Sequence, residues 1–403
     1  MNIRSITGFL SLADPPAASA LQPFGDLVQQ ARDDFARAGL PIQTARLATQ
    51  PIPEIAPRDL TQFARELQAA AQAHGLDYVS LGAPRADHRL APLEVIDAIP
   101  AALAATENVF GSVQFASHEN GINLRAVMAT ARALRALSDL KPDGFGAFRF
   151  AALANCPPHS PFFPVAYHQG DEPCFAVATE GAPLAVQAFG EAQNLDQARA
   201  NLIHAVERTA QQIAILGNQL AARFGIRLAG IDFSLAPFPE ESQSIGAACE
   251  RLTGAQFGER GTLFAAGFIT DCLNRAHFPR TGFSGLMLPV LEDATLAARS
   301  GSYTLDSLLL YSTVCGTGLD TIPLPGDSSA EQIAAILLDL GTLAVKLNKP
   351  LTARLIPLAG LRAGDLTQFD YEYVTNARVL NPNACALRVF ETETQVQFVM
   401  RKT

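Results

Sequence analysis

The segment TVCGTGLDTIPLPGDSS, residues 313–329, combines side chains that could perform chemistry. It contains a thiol at Cys315 and carboxylates at Asp320 and Asp327, with three glycines and two prolines around them. A thiol on a glycine-flanked connection is more accessible than one in mid-helix, so Cys315 is a candidate nucleophile or acid–base group. A lone cysteine is also commonly a small buried residue, and that alternative stays open.

The two carboxylates of this segment have different surroundings. Asp320 lies within an apolar connection, where a carboxylate is costly unless it is paired or bound to a cation. Asp327 precedes Ser328, which with Glu331 fits the S-x-x-E capping box of a helix start. Asp327 could therefore complement the helix dipole or bind a ligand. Together with Asp232, the two carboxylates could hold Mg²⁺ or Ca²⁺, which prefer oxygen ligands.

Further polar residues follow predicted strands. His168, in PVAYHQGDEPCF, has an unperturbed pKa of about 6.5 that suits proton transfer, and Asp293 completes the candidate catalytic set with Cys315. Because α/β folds bind ligands beyond the carboxyl ends of their strands, we expect these segments to meet at one mouth. For each residue a cap or turn role is the alternative. The candidate substrate-binding residues are His118, Glu119, Asn120, Glu172, Ser234 and Ser284.

The elements that must position these residues alternate along the chain. Strand-like IRSITGFL, residues 3–10, precedes an amphipathic helical pattern, and the same order recurs as far as the helix over 329–349 and the strand PLTARLIPL. Alternating β and α patterns with nearly continuous apolar strands predict a parallel sheet covered by helices. About ten strands, without a repeat or a linker, favour one α/β domain over residues 1–403.

Composition excludes several classes of partner. The net charge is −9 and the basic residues are scattered, so we expect no nucleic-acid partner. No apolar run reaches the roughly 20 residues of a membrane-spanning helix, and no secretory signal is visible, so we expect no membrane partner and a cytoplasmic location. Missing phosphate-binding fingerprints predict no nucleotide cofactor. A hydrophobic content of 48% with 17% charged residues favours a homo-oligomer.

Several segments together resemble the DUF711 (UPF0210) family. They include GSVQFASHENGINLRAV, ALANCPPHSPFFPVAYHQGDEP, GIDFSLAPFPEESQSIGAACERL and VCGTGLDTIPLPGDS, and the resemblance extends over nearly the whole chain. It implies a ten-stranded β/α barrel of two parallel five-stranded halves, similar to the pyruvate formate-lyase fold of glycyl radical enzymes. In such barrels the reactive cysteine lies on a loop inside the barrel, and VCGTGLD is the analogous segment.

The chain departs from glycyl radical enzymes, which carry a glycine near the carboxyl terminus. Here the last glycine is Gly364, and the 39 residues after it contain none. We therefore expect no radical chemistry. The chain also reads AYHQG where family members usually read AFHG. It has Arg260 in GERGT where they often have a histidine, so a role of that histidine does not transfer.

These features lead to a functional hypothesis and a rival. The first is a non-radical enzyme of lyase or hydrolase type that acts on a small polar or anionic metabolite in an enclosed pocket. Cys315 would be the nucleophile or an acid–base group, His168 would transfer protons, and a divalent metal could assist. The rival is a non-catalytic binding or sensing protein that retains the barrel. It is favoured by the lack of any complete catalytic signature.

Overall fold

A computed structural model describes residues 1–398 as one large mixed sheet covered by helices. The strands are β1 (Ile3–Leu10), β2 (Ile42–Pro51), β3 (Tyr78–Gly82), β4 (Val109–Ser117), β5 (Gly121–Asn123), β6 (Phe150–Ala154), β7 (Cys174–Thr179), β8 (Arg227–Asp232), β9 (Gly318–Pro325), β10 (Leu351–Leu358) and β11 (Gln395–Val396).

The helices follow the strands in the predicted alternation. They are α1 (Gln22–Arg37), α2 (Ile52–Ile55), α3 (Leu60–Ala73), α4 (Glu94–Ala104), α5 (Leu124–Leu140), α6 (Phe145–Phe148), α7 (Ala182–Gly190), α8 (Leu195–Phe224), α9 (Ile245–Thr253), α10 (Thr262–Arg275), α11 (Ala294–Ala298), α12 (Leu305–Ser312), α13 (Ala330–Leu347) and α14 (Val389–Thr392). None of the helices within residues 1–398 is both long enough and apolar enough to cross a bilayer.

The main path of the sheet has the order β8-β7-β1-β2-β3-β4-β6-β10-β9. Its five central strands, from β1 to β6 along this path, are mutually parallel. The two strands at each end run the opposite way, because β7 pairs antiparallel with β1 and β10 pairs antiparallel with β6. The predicted parallel pairing is therefore confirmed within each group but not at the two junctions.

The regular sheet is open, so a ten-stranded barrel is not confirmed. Its end strands, β8 and β9, are both approached by the segment 279–290. Leu286 forms an isolated parallel bridge with Leu235, just beyond β8, and Pro289 forms one with Asp320 on β9. Proline cannot donate a ladder hydrogen bond, which limits the regular pairing of this segment.

Helix α13 begins one residue later than its sequence pattern predicts. Ser329 is the N-cap, and its side chain and that of Gln332 form a reciprocal capping box. The predicted pair of Ser328 and Glu331 was therefore wrong. Asp327 stands two residues before the cap with an exposed side chain, so it does not cap the helix.

Candidate functional site

A cavity of about 280 Å³ lies among β1, β2, β3, β8, β10 and neighbouring loops. Its walls combine aromatic rings with ionisable groups. The ionisable side chains of the lining are Arg4, Arg46, Tyr78, Glu107, Arg149, Asp232, Glu292, Arg354, Tyr371 and Tyr373. Such a concave, partly aromatic space with converging polar groups is typical of a small-molecule site.

Three arginines reach this cavity from strands: Arg4 from β1, Arg46 from β2 and Arg354 from β10. Side chains alternate between the two faces of a strand. In β2, Thr44 and Arg46 therefore line the cavity, whereas Ala45 between them packs into the hydrophobic core. The apolar strand sequence thus presents one charged face to the cavity.

Two of these arginines belong to an alternating chain of charges. Arg4 contacts Glu180 at 2.9 Å and Glu292 at 3.2 Å. Arg354 contacts Glu292 at 2.8 Å and Asp320 at 2.6 Å. Each guanidinium therefore contacts two carboxylates, and the two share Glu292, so that three carboxylates face two arginines. Buried charges persist in proteins when they are paired and hydrogen-bonded in this way.

Arg46 has no such carboxylate partner in the described part of the chain. It is 8% exposed, forms no ion pair within residues 1–398, and donates one hydrogen bond, from Nε to Thr44 Oγ1 at 2.8 Å. Its guanidinium carbon lies 5.2 Å from the ring centre of Phe163 and 5.8 Å from that of Tyr78. Burial, and next the positive charge of Arg4, lower the pKa of Arg46 to about 9. Arg46 is therefore a buried cation without an ion-pair partner among residues 1–398, although the more distant charge of Glu292 favours its protonated form.

Asp232 lies at the end of β8 and also lines the cavity. Its Oδ1 accepts from the Ser234 hydroxyl at 2.5 Å and the Ser284 amide at 2.8 Å, and its Oδ2 accepts from the Phe283 amide at 3.0 Å. Burial raises the pKa of Asp232, and these donors oppose the rise. Gly282 is required here, because its φ is +60° and a Cβ would lie 2.2 Å from Oδ2.

Comparison with known proteins identifies the family. The family model described as "Uncharacterised ACR (DUF711)" matches residues 1–376. The chain belongs to the DUF711 family. A UPF0210 protein of Pelotomaculum thermopropionicum is 33% identical to it over an alignment of 405 positions, covering 92% of this chain and 88% of the relative. UPF0210 proteins of Pyrobaculum islandicum (34% identity, 82% and 76% covered) and Methanopyrus kandleri (32% identity, 85% and 80% covered) are also similar.

In this DUF711 chain the candidate nucleophile lies outside the cavity. Cys315 is 0% exposed, packs in the hydrophobic core, and accepts a hydrogen bond from the Gly318 amide at 3.4 Å. The glycines that suggested an open loop instead allow a tight entry into β9, where Gly318 has a φ of +104° and contacts the Thr352 backbone. The structure therefore does not place this thiol where a ligand in the cavity could reach it.

The three carboxylates predicted to hold Mg²⁺ or Ca²⁺ are not brought together. Asp320 is paired with Arg354, Asp327 is exposed at the surface, and Asp232 is held by the donors described above. Within residues 1–398, the metal-binding side chains that cluster in a group of three are different ones, and they include no carboxylate. The prediction of a hard-cation site at these aspartates has no geometric support.

The other two candidate catalytic residues have separate surroundings. His168 is buried outside the cavity, and its Nδ1 lies 3.3 Å from His159 Nε2. Burial, and next His159, lower the pKa of His168. Asp293 caps two helices, since it is the N-cap of α11 and also accepts from the Ile245 amide at the start of α9 and from Ser244. Asp293 therefore has the capping role that the sequence left open as the alternative to a catalytic one.

The candidate substrate-binding residues divide into two sets. His118 and Glu119 are exposed at the turn between β4 and β5, next to Asn120, whose amide donates to Asp87 at 2.7 Å. Glu172 is exposed in the loop before β7. None of these lines the cavity. The remaining two, Ser234 and Ser284, surround Asp232, and Ser234 reaches the cavity wall.

The three strand arginines were not among the residues predicted from the sequence, although the chain carries a signal for them. IRSITGFL, IQTARLAT and PLTARLIPL are strand-like runs of mostly apolar and small residues, and each contains one arginine. A lone arginine within a buried strand must be paired or must face a cavity, because an isolated charge is costly to bury. This criterion selects Arg4, Arg46 and Arg354.

Proposed function

We propose that the cavity binds a small anionic metabolite and that the protein is a non-radical enzyme of lyase or hydrolase type. The observation that carries the proposal is the unpaired, buried guanidinium of Arg46 on the cavity wall. The other two strand arginines each contact two carboxylates. Arg46 alone among the three forms no ion pair within residues 1–398, and a bound anion would supply that direct contact.

The shape and chemistry of the cavity support a small carboxylate or phosphate ester. A planar guanidinium binds either group through two parallel hydrogen bonds. Phe162, Phe163 and Tyr78 supply apolar walls around the charge, which limits water and strengthens the ionic contact. A volume of about 280 Å³ suits a metabolite smaller than a typical drug-sized ligand.

Asp232 is the acid–base group that we assign to this cavity. A buried carboxylate with a raised pKa is suited to exchange a proton with a bound substrate. Arg46 would hold the anionic group of the substrate, and Asp232 would accept or return a proton at the adjacent carbon or oxygen. Neither Cys315 nor His168 is needed for this chemistry.

The second candidate is a binding or sensing protein without turnover. It is favoured by the state of Asp232, since both of its oxygens already accept hydrogen bonds. It is also favoured by the lining itself, which within residues 1–398 includes no histidine or cysteine. Both candidates require the same anion contact at Arg46, and only turnover separates them.

Three parts of the proposal concern the setting of the site. We infer that segment 279–290 takes the place of a tenth strand in a barrel of two five-stranded halves, supported by its bridges towards β8 and β9.

Six unpaired cysteines agree with a reducing cytoplasm. Exposed apolar side chains such as Leu90 (87%), Ile215 (52%) and Phe264 (51%) would suit contact with a second copy.

Ligand titration of an Arg46 variant tests the binding step. Small carboxylates and phosphate esters are screened by thermal shift, and the hits are titrated by calorimetry against wild type, Arg46→Met and Arg58→Met. Arg58 is exposed, so its variant controls for lost positive charge. We expect Arg46→Met to weaken binding about tenfold to a hundredfold and Arg58→Met to leave it unchanged. Equal binding by wild type and Arg46→Met would refute the proposal.

An Asp232→Asn variant then separates the two candidates. The enzyme proposal predicts that wild type transforms a bound ligand, followed by mass spectrometry of the mixture, and that Asp232→Asn binds the ligand but does not transform it. Unchanged recovery of every ligand that binds wild type would instead support the sensing protein.

A further inference from the structure

The loop between β6 and β7 brings two histidines next to the first residue of β7. His159 and His168 belong to this loop, and Cys174 begins the strand. His168 and Cys174 are buried, whereas His159 is half-buried. The loop is anchored at both histidines, because the His159 amide donates to Tyr167 O at 2.9 Å and the His168 amide donates to Thr49 O at 2.8 Å.

The separations within this group match those of a metal centre. One ligand atom from each of the three side chains lies within 4.8 Å of the others. The two imidazole nitrogens, His159 Nε2 and His168 Nδ1, are 3.3 Å apart. Two nitrogens on one tetrahedral Zn²⁺ are about 3.4 Å apart, as bonds of about 2.0–2.1 Å require. The same distance is long for a hydrogen bond between nitrogens.

The hydrogen bonding of these groups is also incomplete. His168 is 0% exposed, and its Nε2 is buried without a hydrogen-bond partner in the part of the chain that the structure describes. The Gln169 amide approaches His159 Nε2 only at 3.4 Å. Unpartnered polar atoms in the interior are uncommon. A metal takes one nitrogen from each imidazole, so an ion between His159 Nε2 and His168 Nδ1 would replace their long contact, whereas His168 Nε2 would keep its present surroundings.

We propose that His159, His168 and Cys174 bind one Zn²⁺ ion. Two imidazoles and one thiolate are ligands typical of Zn²⁺, whereas Mg²⁺ and Ca²⁺ favour oxygen. The fourth position is left to water on the side of the half-buried His159. The site supplies a different kind of ligand from the aspartates that the sequence suggested.

The metal would clamp the loop that forms one wall of the cavity. Pro161, Phe162 and Phe163 line the cavity and lie between the two histidines in the chain. None of the three ligands lines the cavity, so the ion would fix the position of this loop without contacting a molecule in the cavity. The inference therefore stands apart from the anion contact at Arg46, and either can fail without the other.

Metal reconstitution of the full chain tests the site. Chelator-treated protein is dialysed against Zn²⁺, and bound zinc per chain is measured by elemental mass spectrometry. In parallel, Co²⁺ is added and the thiolate-to-cobalt charge-transfer absorption is recorded. We expect one ion per chain, a cobalt–thiolate band, and a higher Tm with zinc than after chelation, because the ion binds the folded state.

Matched variants decide whether these residues are the ligands. Cys174→Ser should lose the cobalt–thiolate band and weaken zinc binding at least tenfold, whereas Cys272→Ser, at another buried cysteine, should keep both. His159→Ala should also weaken binding at least tenfold, and His118→Ala at the exposed turn should not. Because His159 is half-buried, its variant decides the question if Cys174→Ser does not fold. Wild type without stoichiometric zinc, or His159→Ala with wild-type affinity, would overturn the proposal.

Discussion

The guanidinium of Arg354 on β10 donates from Nε to the carboxylate of Asp320 on the neighbouring strand β9, at 2.6 Å, with both side chains buried. This pair ends the chain of charges that begins at Glu180. Two parallel strands are thus joined by an ionic contact as well as by their ladder. Such a contact specifies which side chains meet, even where it adds little net stability.

Removing one partner of this pair should be costly. We expect Asp320→Leu to lower the free energy of unfolding by about 3–5 kcal/mol, because Arg354 would keep only Glu292. The double variant Asp320→Leu/Arg354→Met should recover most of that loss. Equilibrium urea denaturation of the three proteins measures both effects. A double variant no more stable than the single one would contradict this explanation.

Replacement by methionine should change the thermal stability in opposite directions at two buried arginines of the cavity. Arg46→Met should raise the Tm, since it removes a buried cation whose terminal nitrogens find no acceptor among residues 1–398. Arg149→Met should lower it, because Arg149 donates to the carbonyls of Val109 at 3.0 Å and Leu103 at 2.9 Å. Each such bond contributes about 1.5–3 kcal/mol. Thermal unfolding without ligand compares them, and a loss at both positions would contradict the unpaired state of Arg46.

Thiol accessibility should single out one cysteine. Cys385 is exposed, whereas the other five cysteines, including Cys315, are buried. A chromogenic disulfide reagent should therefore titrate one thiol in the native protein and six after denaturation. Cys385→Ser should abolish the native reaction. Rapid native modification of Cys315, located by peptide mass spectrometry, would restore that residue as a candidate nucleophile.

Asp339 on α13 should make stability depend on pH. Partial desolvation by its neighbours, and next repulsion from Asp306, raise the pKa of Asp339, whose side chain is exposed at the surface. The folded state then binds protons more readily than the unfolded chain, so stability is lost as pH rises through this pKa. We expect Asp339→Asn to raise the Tm slightly at pH 7 and to leave it unchanged at about pH 3, where both states are largely protonated. An equal rise in Tm at both pH values would mean that the asparagine amide stabilises the fold by itself, and that removal of the charge is not the cause.

Local patterns predicted elements better than they predicted the site. The helix that ends at Gly225 and the alternation of strands and helices follow from periodicity and capping residues. The burial of Cys315 does not follow from such local patterns, because it depends on how Gly318 packs against β10. The role of Asp293 depends on Ile245, 48 residues away. Contacts between residues so far apart in the chain cannot be predicted from the sequence of one local segment.

The chain of charges also has a consequence for synthesis on the ribosome. Arg4 is made first, yet its partners Glu180 and Glu292 lie 176 and 288 residues downstream. Arg354, which also pairs with Glu292, emerges still later. A chain released before Arg354 is synthesised would bury carboxylates without their full set of cationic partners. Such a chain would fold poorly and would be bound by chaperones or degraded by proteases.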